Sequence, residues 1–140
     1  MSVSITAVLF TAVNGGLAVL IWLVQTIVYP GMHGWEKPRF VRLHRDYSRR
    51  IAFIVGPLML LQAALALNRL AAAPNRLAVV HVLLIGGVWA ATIFFSVPLH
   101  RRLSGGYDVR NVDRLVATNW LRTAGWSLVL LLDVLRWVNA

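Results

Sequence analysis

Four long apolar runs, separated by polar, proline- and glycine-containing stretches, set the pattern of this chain. A helix needs about twenty mostly apolar residues to cross a bilayer. The runs predict helices over about residues 3–29, 51–67, 77–99 and 114–138. The first contains Asn14-Gly15-Gly16, where a neighbouring helix could approach closely, and ends at Pro30-Gly31, since proline cannot continue helical bonding and glycine permits a turn. Between the first two runs, Phe40, His44, Tyr47 and Ile51 recur at spacings that form one helical face, with Pro38 suited to the first turn. This predicts an interfacial amphipathic segment leading into helix 2, with its arginines on the other faces. Pro57 and Gln62 fall inside helix 2, and Pro57 should kink it. Pro74-Asn75 closes the next turn. Helix 3 carries His81 near its start and Gly86-Gly87 in its middle. Ser104-Gly105-Gly106 marks the last loop. The fold class is all-α: a transmembrane four-helix bundle, one integral membrane domain over residues 1–140.

Composition supports this class. The chain is 59% hydrophobic and 14% charged, with a mean hydropathy of +0.69. A soluble domain has about a quarter charged residues. Cysteine is absent, which removes disulfides, thiolate metal sites and cysteine nucleophiles. The net charge of +9 sits beside the apolar runs, where lipid headgroups and topology account for it. Membrane lipids are therefore the expected partners and nucleic acid is not. The sequence is compatible with a homo-oligomer. The first run lacks a basic leader and a small-x-small cleavage site, so it is read as a retained helix.

Positive charge orients the bundle. Lys37, Arg39, Arg42, Arg45, Arg49, Arg50, Arg101, Arg102, Arg110 and Arg114 lie at the end bearing the first and third connections. Arg69, Arg76 and Arg136 lie at the other. The positive-inside rule places the first group in the cytoplasm and both termini outside. The expected location is a bacterial inner membrane.

Polar residues converge near the basic end when depth is counted along each helix. They are Gln25 and Thr26 on helix 1, His44, Tyr47 and Arg50 at the start of helix 2, Ser96 and His100 on helix 3, and Asn119 and Arg122 on helix 4. Asn119, Arg122, Thr123 and Trp126 share one face by their spacing. Arg122 is the least expected of these, because an arginine within a membrane helix costs at least about 2.5–3.5 kcal/mol. It could pair with Glu36, Asp46 or Asp108, bond to backbone carbonyls freed by Pro57 or Pro98, or snorkel to the interface. Alternatively it holds an anion or a polarised oxygen in a pocket. His44 and His100 are candidate general bases, with Asn119 beside Arg122. Tyr47, Trp126 and Gln25 are candidate ligand-binding residues. His33, Glu36, His44 and His100 together form a candidate zinc or iron site, and His44 with His100 a candidate haem-ligand pair. At the opposite end, His81 and Asp133 lie at similar depths and could tie helix 3 to helix 4. Of the tryptophans, Trp35, Trp120 and Trp137 suit aromatic belts, whereas Trp89 and Trp126 lie deeper.

The stretches VPLHRRL and NWLR resemble the anthrone oxygenase-like family of small four-helix membrane proteins. In that pattern helix 3 ends in a proline followed two residues later by asparagine, and helix 4 carries an asparagine with an arginine three residues on. Here those positions are Pro98, His100, Asn119 and Arg122, so histidine stands in place of the first asparagine. Tyr29-Pro30 matches a proline-containing exit from helix 1. The resemblance implies an oxygenase that converts an anthrone, a flat phenolic ketone, into a quinone with O₂. Arg122 would stabilise the deprotonated substrate and His44 or His100 would take the proton. The expected function is thus an oxygenase-like or redox protein for a flat, hydrophobic aromatic or quinone-like small molecule. The oxygenase would be either cofactor-independent or metal-dependent. The alternatives are a non-enzymatic membrane protein, either a lipid or quinone binder or a subunit of a larger complex, and a metal- or haem-binding redox protein.

Overall fold

The computed structural model describes residues 4–139, which leaves Val3, the expected start of helix 1, outside the described residues. Four helices are long and apolar enough to cross a membrane: α1, Ile5–Gly34; α2, Lys37–Ala72; α3, Arg76–Leu103; and α4, Val109–Val138. The all-α bundle expected from the apolar runs is present. Each helix packs against its chain neighbours, and α1 closes the ring against α4. Several polar side chains are buried within the apolar core, while many large apolar ones face outward. Asn14 and Asn119 are fully buried, whereas Phe53 is 82% exposed and Phe94 71%. An exposed apolar shell with the polar side chains turned inward is what a lipid solvent selects.

The elements run further than the apolar pattern predicted. Helix 2 begins in the turn at Lys37–Arg39 and continues as one α-helix from Phe40 to Ala72. The amphipathic segment is therefore the first part of α2, and Pro57 lies inside that unbroken helix. Its predicted face holds: Phe40 and His44 are buried, and Tyr47 and Ile51 pack against the core. Asn75 caps α3 by accepting from the Ala78 N–H, and Asp108 caps α4 by accepting from the Asn111 N–H. The cap places the start of α4 at Val109, ahead of the predicted start. Gly106 has a positive φ of 148° in the preceding loop, a conformation that favours glycine.

Pro30 does not end helix 1, contrary to the sequence expectation. A π-helical turn at Val24–Val28 precedes it, closed by the Tyr29 N–H donating to the Val24 carbonyl. A second π turn at Thr92–Ser96 precedes Pro98, with the Val97 N–H donating to the Thr92 carbonyl. A proline removes one N–H and crowds the carbonyl four residues earlier. Widening the preceding turn is one way for the helix to continue past it. At the second π turn the buried positions step by five residues, from Ala91 to Ser96, whereas at the first Gln25 and Tyr29 are both buried, four residues apart.

The close helix approach also differs from expectation. A Cβ on Gly15, Gly16, Gly86 or Gly87 would meet nothing within 4 Å. At Gly125 it would lie 2.5 Å from Val88 Cγ2, so this glycine is where α4 abuts α3. Val88 is 2% exposed and β-branched, so it has little freedom to yield. Gly125→Ala is expected to destabilise the bundle by about 1–3 kcal/mol. Gly86→Ala should be neutral or stabilising, because alanine is the better helix former. Unfolding of the two variants in detergent checks the contrast, and equal stability would contradict the assigned contact.

Candidate functional site

The two π turns bring α1 and α3 together at the basic end of the bundle. Tyr29 directly follows the first turn, and its Oη lies 2.9 Å from His100 Nε2. His100 lies one helical turn beyond the second. His100 Nδ1 is in turn 2.9 Å from His44 Nε2 on α2. The three side chains form one hydrogen-bonded chain across the bundle. His44 is fully buried and stacked on Phe40, with ring centroids 5.7 Å apart, and its Nδ1 has no partner. Two proton arrangements satisfy this chain. Either Tyr29 donates to His100 and His100 to His44, or both bonds run the other way. Both ring nitrogens of His100 are engaged, so it reaches a ligand's proton only through Tyr29.

Tyr29 and His100 line an apolar cavity of about 320 Å³, together with Tyr47, Ser96, Arg122 and Trp126. Ala52 and Val97, both exposed, also line it, which opens the cavity towards lipid between α2 and α3. Arg122 reaches it from α4 with only 7% of its surface exposed. Its Nη1 donates to Ser96 Oγ at 3.3 Å and to Asn119 Oδ1 at 3.2 Å. Its guanidinium carbon lies 5.1 Å from the centre of the Trp126 ring, and its Nε is buried without a partner. The expected ion pair with Glu36, Asp46 or Asp108 does not form: among the described residues no carboxylate reaches Arg122. Snorkelling is likewise ruled out by its burial.

Behind the cavity, a buried amide network fixes these groups. Asn119 Nδ2 and Thr123 Oγ1 both donate to Gln25 Oε1, at 2.9 and 3.1 Å. Gln25 Nε2 donates to the Val116 carbonyl at 3.1 Å. Trp126 Nε1 donates to Gln62 Oε1 at 3.0 Å, and Gln62 Nε2 to Asn14 Oδ1 at 2.8 Å. Asn119, Arg122, Thr123 and Trp126 are all buried, as their common face required. Gln25 serves this network rather than the cavity wall.

Other predicted residues lie elsewhere. Thr26 is exposed and donates to the Trp22 carbonyl, and Arg50 is exposed. Trp89 packs in the core away from the cavity. The proposed metal set is not assembled. His33 contacts Asp113 at 3.1 Å and Tyr107 at 3.0 Å, while Glu36 pairs with Arg39 at 3.3 Å. No group of three or more metal-ligating side chains converges among the described residues. The direct His44–His100 hydrogen bond also leaves no room for an iron between the rings, so the pair does not fit a bis-histidine haem. The residues that sequence reasoning missed are Tyr29 and Gln62. Tyr29 had a signal, since it lies four residues after Gln25 on a helix read as ending there.

No family model, curated protein or solved structure matches the chain.

The opposite end of the bundle shows how a paired ionic group looks in the same protein. Asp133 is fully buried and accepts from Arg69 Nη1 at 3.3 Å, Arg136 Nη2 at 3.2 Å and Thr11 Oγ1 at 2.5 Å. The expected His81–Asp133 bond is absent, and His81 Nε2 instead faces the Val129 carbonyl at 3.3 Å. Removing one partner of a buried pair costs about 3–5 kcal/mol. Asp133→Ala should therefore destabilise the fold by that order. Arg122→Met removes an unpaired buried charge at similar volume and should leave stability unchanged or raise it. Denaturation of both variants in detergent tests this, and a strong loss with Arg122→Met would mark the arginine as structural.

Proposed function

We propose that this protein binds a flat, apolar molecule with an acidic C–H or O–H group, taken from the bilayer, and oxidises it with O₂. The observation that carries the reading is Arg122, a buried guanidinium without a counter-ion, on the wall of an apolar cavity that it shares with the Tyr29–His100–His44 chain. A cation in an apolar surround favours an anion there. The histidine-tyrosine chain provides a place for the proton that the ligand loses. Tyr29 takes that proton as it passes its own to His100 Nε2, and His100 Nδ1 passes its proton to His44 Nε2. The ligand anion remains beside Arg122.

For a substrate of the anthrone type, the carbanion supplies the electron pair of a new bond to O₂. The resulting peroxide anion regains a proton through the same chain. Elimination of water then leaves a ketone. The methylene group is oxidised to carbonyl, and O₂ contributes one oxygen to the product and one to water. The resemblance around Pro98, Asn119 and Arg122 supports this class of substrate.

A second reading is a non-catalytic quinone or lipid binder, favoured by the apolar lining and the lateral opening beside Ala52 and Val97. O₂ uptake with anthrone-type phenols separates the two. Wild type should consume O₂, whereas Tyr29→Phe and Arg122→Met should each lose about 10²-fold or more of the rate. Binding of the phenol without O₂ uptake would favour the binder, and equal rates in all three proteins would remove the proposed site.

We also propose that the basic end faces the cytoplasm of a bacterial inner membrane, on the distribution of lysine and arginine between the two ends. The chain contains no cysteine, so single cysteines report orientation directly. In intact cells, a membrane-impermeant thiol reagent should label Asn139→Cys and not Gly105→Cys. The reverse pattern would invert the topology.

A further inference from the structure

The Asp133 cluster carries more positive charge than its carboxylate neutralises. Asp133 Oδ1 accepts from both Arg69 and Arg136, and Oδ2 accepts from Thr11. Both carboxylate oxygens are thus engaged, and the group of two guanidiniums and one carboxylate has a net charge of +1. Among the described side chains at this end, Asp133 is the only carboxylate, since Glu36, Asp46, Asp108 and Asp113 all lie at the basic end. The guanidiniums are held in place rather than free: Arg69 lies over Phe10 at 4.6 Å and Arg136 over Trp137 at 4.7 Å.

Both arginines line a cavity of about 320 Å³ at the mouth of the bundle, where the start of α1, the end of α2 and the start of α3 meet. The side chains of Ser4, Thr6, Asn68 and Asn75 complete its polar wall. This is a different place from the Arg122 cavity, at the opposite end of the helices.

We infer that this mouth is a binding site for a phosphate group. Fixed guanidiniums suit phosphate because their planar donors match its oxygens. Ser4 and Thr6 share one hydrogen bond and Asn75 Nδ2 donates to the Ala73 carbonyl, which leaves one hydroxyl proton of that pair and the amide protons of Asn68 to donate to the remaining oxygens. The end of a spanning helix lies at headgroup depth, where phosphodiesters are the abundant anions. A phospholipid headgroup and a free phosphate share this chemistry.

The test uses the full chain in neutral detergent. Its Tm is measured with short-chain phosphatidylglycerol, with the matching diacylglycerol, and with inorganic phosphate. Phosphatidylglycerol should raise the Tm and diacylglycerol should not. A shift with inorganic phosphate as well identifies a site for the phosphate group itself, while a shift with the lipid alone identifies a headgroup site. Arg136→Gln should weaken the apparent affinity by about tenfold or more. Thr6→Asp adds a negative charge to the wall without touching the Asp133 bonds, and it should abolish the shift even if Arg136→Gln fails to fold. Arg102→Gln, at the basic end, should leave the shift intact. The inference is overturned if wild type shows no phosphate-dependent shift, or if Thr6→Asp retains the full shift.

Discussion

An arginine inside an apolar bundle must be neutralised, solvated or used, and among the described residues Arg122 has no carboxylate partner and is buried. Its charge is spread over neutral dipoles: the Ser96 hydroxyl, the Asn119 amide and the face of Trp126. These partners offset part of its desolvation while leaving the charge uncancelled. Much of the rest of the core serves to hold them. Gln25 fixes Asn119 and Thr123, and Gln62 fixes Trp126. The same protein treats Asp133 differently, surrounding it with two arginines and a threonine. That contrast separates a carboxylate met by two arginines from a guanidinium met only by neutral groups.

The prolines and π turns explain how the cavity gets its other wall. Pro30 and Pro98 occupy equivalent places, each two residues beyond a π turn. In each helix the buried face continues through the π turn, to Tyr29 in α1 and to Ser96 and Leu99 in α3. Tyr29 and His100 occupy the stretches that follow these turns. A regular helix through either position would carry these side chains round by about 100° for each residue of register difference. The backbone irregularity is therefore part of what allows Tyr29, His100 and His44 to meet.

That irregularity also marks the limit of what the sequence made legible. The four spans, the basic asymmetry and the common face of Asn119, Arg122, Thr123 and Trp126 depend on composition and a constant helical period. All four of those side chains are buried as the period requires. Where the period changes, reasoning by spacing fails. Proline after Tyr29 reads as a helix end, so Tyr29 dropped out of the candidate site. Likewise, the Gly15-Gly16 pair suggested close approach by composition. Which glycine meets a neighbour depends on helix rotation, and the contact fell at Gly125 opposite Val88. The metal set failed for a related reason: His33 and Glu36 share a depth with His44 and His100 but face Asp113 and Arg39.

The burial of His44 bears on what kind of chemistry the chain of side chains can serve. His44 Nδ1 has no side-chain or backbone partner among the described residues, and Phe40 stacks on the ring, so the chain of protein groups ends there. A catalyst that had to release a proton to water at each turnover would be poorly served by such a dead end. Under the proposed oxidation no net proton is released. The one removed from the substrate returns to the peroxide before water leaves. A closed relay then acts as a store, holding the proton away from the anion while O₂ reacts and restoring it afterwards. The feature that would disqualify this chain as a proton wire is the one that suits it to a reaction in which the proton must come back.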